Sequence, residues 1–296
     1  MDFQDFLDLE VAYINENIDE DVAVSIHNVI KNNSVKLSGL IFSKKGMNIS
    51  PTIYMEYYYE QYVKGESIET IGDNIIVAYK DNIIENDVDV DFYKDYEKVK
   101  DMLFVKVVNY EQNQELLCEI PHEKYLDLAV VVYCSVENIH ISNATILIRN
   151  EHLKMWNVSA GEVIDRAKIN SDKKLMCRIS PMNEMLRTVN IDSREYDVDD
   201  FMNLLPMYVV TNANNCFGAA YLAMPNMLER FASKFDGDYY IIPSSIHELI
   251  LVPSEGVEKE NINELIKEVN ATQLSKEEVL SDHVYMYSNR EQVLKF

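Results

Sequence analysis

Four times along this chain, two short runs rich in Val, Ile, Leu and Tyr are separated by a few residues of turn chemistry, and a segment with helical periodicity follows. Strands joined by a short turn must run antiparallel, so this pattern restricts the fold more than any other feature. The pairs are 22–30 with 35–42, 128–136 with 144–149, 206–212 with 217–224, and 239–243 with 247–253. Interleaved with helices, they predict an α+β fold of antiparallel β-hairpins packed with helices. The length, 296 residues, allows two closely associated halves, with the division expected around Pro121: an N-terminal half 1–120 and a C-terminal half 121–296.

Local signals sharpen this outline. Phe3, Phe6, Leu7, Val11 and Ile14 fall at helical spacing behind Asp2, a good N-cap, with acids along the opposite face. Ser50-Pro51 predicts the start of a helix that runs to Gly65, and Ser67 caps another through Tyr79. Residues 92–102 look helical and 103–110 look like a strand. Ser159 and Glu162 have capping-box spacing and open a helix through Ala167, and Ser275 and Glu278 repeat that spacing. In the third pair, FGAAYLAM is expected to be a strand, because a single helix over 217–235 would carry Pro225 in its middle. Pro225 therefore begins a helix. The tail offers a helix over 260–269 and a strand at VYMYS. Aligning ATILIRNEHLKMW with AAYLAMPNMLERF suggests a duplicated hairpin-helix unit.

Composition bounds the function classes. With 27 basic and 50 acidic side chains, the net charge is -23. The acid gathers at 2–21, 87–91, 192–200 and 255–282, while Lys44-Lys45 and Lys173-Lys174 are the adjacent basic pairs. No direct nucleic-acid contact and no membrane association is expected, since both need a basic patch. A protein partner with a basic surface fits better. No apolar run is long enough to span a bilayer, and the acidic N-terminus is unlike a secretory signal. Cys118, Cys134, Cys177 and Cys216 stand singly, as reduced thiols in a cytoplasmic protein do. Cys134 reads as core; Cys216 lies in a turn.

Few motifs carry chemistry. Asp87, Asp89 and Asp91 alternate like the front of a calcium loop, but Phe92 replaces the required glycine and Lys98 the bidentate glutamate. His122-Glu123 and His247-Glu248 lack the second histidine of a zinc-protease helix, so no metal site is expected. The chain has no P-loop and no dinucleotide fingerprint, and no cofactor is expected. The run Pro243-Ser244-Ser245-Ile246-His247-Glu248 gathers two hydroxyls, an imidazole and a carboxylate, making Ser244, Ser245 and His247 the catalytic candidates. On a strand, His247 and Glu248 would face opposite ways and form no dyad, so serines capping a hairpin turn compete with this reading. Trp156 is expected in the core, and Tyr54, Tyr57, Tyr58 and Tyr62 form a stripe suited to half-buried packing.

Residues 48–62, 125–133, 144–159 and 207–253 resemble an uncharacterised bacterial domain-of-unknown-function family of clostridial type, and the last two stretches are distantly similar to the YtpQ-like family. The resemblance implies no activity, cofactor or catalytic residue. The chain departs from the usual pattern at NANNCFG, so no site is expected there. With no complete catalytic constellation, the sequence points first to a cytoplasmic binding or regulatory protein. The alternatives are a hydrolase that joins Ser244 or Ser245 to a histidine from elsewhere, His152 or His283, and an acidic mimic of nucleic acid that inhibits a basic partner.

Overall fold

The computed structural model describes residues 1–47, 50–83, 91–136, 145–184 and 206–296. The chain divides into two compact units, Met1–Val90 and Asp91–Phe296. Both combine helices with antiparallel sheets, so the fold is α+β. Residues 120 and 121, around which the sequence suggested a division, lie inside the second unit.

In the first unit, α1 (Phe3–Asn17) starts where the Asp2 carboxylate accepts the Asp5 amide at 2.9 Å. The first hairpin forms as read: β1 (Val22–Ile30) pairs with β2 (Lys36–Lys44) from Val22 opposite Lys44 to Ile30 opposite Lys36. The helix expected at Ser50-Pro51 does not form there. Thr52–Tyr54 is a third strand, β3, on the edge of β2, and α2 (Glu56–Val63) begins only after Met55. The reason is tertiary: Phe42 donates its amide to the Pro51 carbonyl at 3.1 Å, and Met55 donates to Ser38 at 2.9 Å, drawing the segment into the sheet. Ser67 caps α3 (Ile68–Asp81), as expected. Phe6, Ile14, Leu40, Phe42, Met55 and Ile75 are fully buried between helices and sheet, and Phe42 stacks on Tyr79 at 4.5 Å. In the tyrosine stripe, Tyr54, Tyr58 and Tyr62 are half-buried while Tyr57 is exposed. Tyr62 meets Phe6, and Tyr59, outside the stripe, meets both Phe3 and Phe6.

The second unit begins with α4 (Tyr96–Val99), a single turn flanked by 3-10 turns where one helix was expected, and β4 (Leu103–Asn109). After α5 (Gln114–Leu117) come β5 (His122–Tyr125), β6 (Leu128–Ser135) and β7 (Thr145–Leu147). β6 is central, with β4 along one side and β5 and β7 sharing the other. Its run LAVVVYC is buried on both faces because alternate residues enter two apolar clusters, Leu128, Val130, Val132 and Cys134 on one face and Ala129 and Val131 on the other. α6 (Asn150–Trp156) carries Trp156 into the core, its indole donating to the Tyr93 carbonyl at 2.9 Å. α7 (Ala160–Lys174), capped by Ser159, runs two turns beyond Ala167 and is tied to the sheet by Asn170 and Ser171.

A second sheet holds β8 (Arg178–Pro181), β9 (Tyr208–Thr211), β10 (Tyr239–Ile242), β11 (Leu249–Pro253), β12 (Tyr285–Ser288) and β13 (Val293–Lys295), in the order β13-β12-β10-β11-β9-β8. The second and fourth hairpins are present; the third is not. β9 pairs with β8 and β11, and FGAAYLAM turns into a 3-10 helix over Gly218–Ala223. Ala219, Ala220, Tyr221 and Leu222 are buried in succession, which an alternating strand with one wet face cannot achieve. The duplicated unit loses its basis, since ATILIR contributes a strand and AAYLAM does not. Pro225 precedes α8 (Met227–Ala232) and is not inside a helix. α9 (Lys259–Thr272) follows β11, and Ser275 and Glu278 close a turn instead of capping a helix.

Candidate functional site

The segment between β9 and the 3-10 helix is held by one buried side chain. Asn212, 1% exposed, accepts the amides of Asn214 at 3.0 Å and Cys216 at 3.2 Å, and its own amide donates to the Cys216 carbonyl at 2.5 Å. An asparagine bonding its own downstream backbone gives this loop a fixed shape. Phe217 follows in the left-handed region at φ 59° and ψ 25°. Its amide donates to His247 Nδ1 at 3.2 Å, and its ring stacks on that imidazole with centroids 5.4 Å apart and planes at 18°. The His247 carbonyl accepts both the Gly218 amide at 2.9 Å and the Thr211 hydroxyl at 3.0 Å. A β-carbon at Gly218 would stand 2.6 Å from Thr211 Cα, so the approach requires glycine.

This loop forms one wall of a cavity of about 320 Å³. Phe104 on β4, Tyr133 on β6 and Phe217 supply aromatic surface, and Tyr133 meets Phe217 edge-on at 5.0 Å. Ser135, Thr145 and Asn214 bring polar groups, and Lys174, at the end of α7, donates to the Asp101 carbonyl at 2.6 Å. Lys106 lies against the Phe217 ring, 4.9 Å from its centroid. Cys216 also lines the cavity. Burial pushes its thiol up, an effect that Lys106 only partly opposes, so it is a poor thiolate nucleophile at neutral pH. No site is expected at NANNCFG from the resemblance, yet this segment borders the cavity. Cys134 is core, its thiol pushed up to about 12 by burial.

The three catalytic candidates of the sequence sit behind that wall. Residues 243–248 link β10 to β11 and are not strand, so the expected alternation of His247 and Glu248 does not apply. Ser245 is buried and its hydroxyl accepts the His247 amide at 3.0 Å; Ser244 donates to Glu248 Oε1 at 3.4 Å. Neither hydroxyl is hydrogen-bonded to an imidazole. His247 Nδ1 faces Phe217, and Nε2 lies 3.6 Å from Glu278 Oε1. His152 is a local brace: Nδ1 accepts the Arg149 amide at 2.9 Å and faces the Tyr93 hydroxyl at 3.1 Å, and burial lowers its pKa.

His283 joins a polar cluster that sequence reasoning does not find. Asp127 accepts the Ser281 hydroxyl at 2.8 Å and the Tyr285 hydroxyl at 2.6 Å, with His283 Nε2 at 3.6 Å. These are the residue types of a hydrolase triad in a different arrangement. Ser281 gives its hydrogen to the carboxylate and is 1% exposed, closed to a substrate. The cluster ties the turn before β6 to the start of β12. Burial first, then Asp127, raises the Tyr285 pKa well above the usual phenol range. Among the described residues, no group of three or more His, Cys, Asp or Glu side chains is placed to hold a metal, and no helix is long and apolar enough to cross a membrane. Asp87 and Asp89, of the calcium-like run, lie outside the described residues.

Fold and site together define an α+β protein with a cavity bordered by Phe104, Tyr133 and Phe217, one wall of which is the loop that Asn212 and His247 hold. Residues 3–289 match the model of a family of unknown function, DUF5688, and the chain belongs to that family. No curated protein and no solved structure matches it.

Proposed function

We propose that the chain is a cytoplasmic binding protein that takes a small organic molecule with a flat ring into the cavity of the second unit. The observation that carries this is the convergence of Phe104, Tyr133 and Phe217 with Ser135, Thr145 and Asn214 around about 320 Å³. A space of that size, with three aromatic side chains set among polar groups, falls within the range of small-molecule sites. The four free thiols agree with a reducing compartment. The narrower kinship, to clostridial-type sequences and distantly to the YtpQ-like family, belongs to the same reading and brings no activity with it. A protein partner with a basic surface is a second reading, favoured by 50 acidic against 27 basic side chains. The serine-hydrolase reading is weaker: neither Ser244 nor Ser245 bonds an imidazole, and Ser281, which lies 3.2 Å from His283 Nδ1, gives its hydrogen to Asp127 and is buried away from a substrate.

The test is native mass spectrometry of the protein after exposure to a small-molecule extract of its own cytosol. A retained compound is expected, lost in Cys216→Trp, which fills the cavity. In parallel, a panel of small aromatic compounds is titrated into the isotopically labelled wild-type chain. Absence of any retained compound, together with unmoved Phe104, Tyr133 and Phe217 resonances, would sink the reading without reliance on the variant.

A further inference from the structure

We infer that His247 is the positioning residue of the cavity wall, its neutral ring latching Phe217 in place and its protonation releasing that wall. The inference rests on the cavity being the binding site, whose regulation it describes. An imidazole nitrogen accepts a hydrogen bond only when it carries no proton, and Nδ1 already takes the Phe217 amide at 3.2 Å. The bond therefore fixes the tautomer, with hydrogen on Nε2. In the imidazolium both nitrogens are donors, so two N–H groups would confront each other at Nδ1 and the bond would be lost.

Two polar groups face the two nitrogens of that ring. At Nδ1 stands the Phe217 amide, and 3.6 Å from Nε2 stands the Glu278 carboxylate. Among the described residues, other charged or titratable groups around it include Glu248, occupied with Ser244 on the same segment, Lys106 on β4, which lies against Phe217, the Cys216 thiol in the wall itself, and Lys276 and Glu277 on the segment that carries Glu278.

The release is local by construction. The His247 backbone stays anchored through its amide to Ser245, and through its carbonyl to Gly218 and Thr211, whatever the charge on the ring. Phe217, by contrast, is held at φ 59°, a conformation that residues with a β-carbon rarely adopt. Without the Nδ1 bond the backbone has reason to leave it. This also gives the PSSIHE segment a role that needs no catalysis: the hydroxyl of Ser245 sets the backbone from which His247 reaches the wall.

The test is amide hydrogen exchange by NMR on the full labelled chain, with each rate divided by the intrinsic rate at that pH and the Val210 amide of β9 as reference. Between about pH 8 and about pH 5.5, protection at Phe217 should fall at least about tenfold relative to Val210, the worth of one hydrogen bond. His247→Phe keeps a ring to stack and removes the acceptor, so its Phe217 amide should be weakly protected at both pH values. Equal protection of Phe217 at both pH values in the wild type would overturn the latch, and that comparison stands if the variant fails to fold. A full-strength latch in a protein that retains no small molecule would sink the binding reading alone.

Discussion

Glu10 should make the first unit less stable as pH rises, and replacing it by glutamine should remove that dependence. It projects from α1 and is fully buried, and neither carboxylate oxygen has a hydrogen-bond partner among the described residues. The space opposite exists because α3 has Gly72 there; a β-carbon on Gly72 would come 3.1 Å from Glu10 Oε2. Burial, and then the charge of Glu69, pushes its pKa up from 4.5 to about 8. The folded unit thus keeps a proton that the unfolded chain gives up. Its stabilisation is whole below about pH 4.5 and is lost as pH climbs to about 8, a total of about 4 to 5 kcal/mol at 1.36 kcal/mol per pH unit. Glu10→Gln should match the wild type to within about 1 kcal/mol at about pH 5 and exceed it by about 4 kcal/mol near pH 9. Trp156 is the single tryptophan and lies in the second unit, so its fluorescence does not report this change. Urea unfolding should be followed by hydrogen exchange of peptides from residues 1–83. An unchanged gap between variant and wild type across that range would refute the argument that Glu10 is buried as the neutral acid.

Three further outcomes follow from the second unit. Gly218→Ala should cost about 3 kcal/mol in urea unfolding followed by Trp156 fluorescence, because its β-carbon meets Thr211 Cα at 2.6 Å and the His247 carbonyl at 2.7 Å; a neutral result would mean that the loop yields. Asp127→Ala leaves the Ser281 and Tyr285 hydroxyls without their acceptor and should cost about 3 kcal/mol by the same assay, whereas an unchanged midpoint would show that water replaces the carboxylate. Ser245→Ala should cost about 1 to 2 kcal/mol and Ser244→Ala under about 1 kcal/mol, with no labelling of either serine by a fluorophosphonate; a labelled serine would revive the hydrolase reading.

What the sequence could express was local. Asp2, Ser67 and Ser159 cap the helices they precede because a side-chain oxygen three residues ahead of an amide needs nothing else to bond it. The pairing of 22–30 with 36–44 follows from two matched β-rich runs and a short connection, and the all-apolar run of β6 announces a strand covered on both faces. Misreadings arise where distant neighbours outvote local preference. Ser50-Pro51 is a good helix start that the β2 edge draws into a strand, and GAAYLA suits either a strand or a helix until packing buries four of its residues in a row. Glu10, three residues after Leu7 and four before Ile14, falls on the apolar face of α1 by spacing alone; what the sequence does not show is Gly72, on a helix sixty residues away, whose missing side chain leaves it room there.

The cavity was less legible still, although its chemistry was in plain sight: Asn212, Cys216, Phe217 and His247 each stood in a segment that the sequence singled out. What no segment contains is the distance between them. Phe104, Tyr133, Ser135, Thr145, Lys174 and Phe217 meet at one hollow because β4, β6, β7, the end of α7 and the loop after β9 converge there. The sequence by itself determined the caps, the first hairpin, the buried central strand and the excess of acid, since each depends on bonds or charges within a few residues. Tertiary structure decided the 3-10 turn, the neutral Glu10 and the wall that His247 holds, because burial and contact are properties of residue pairs that only the folded backbone brings together.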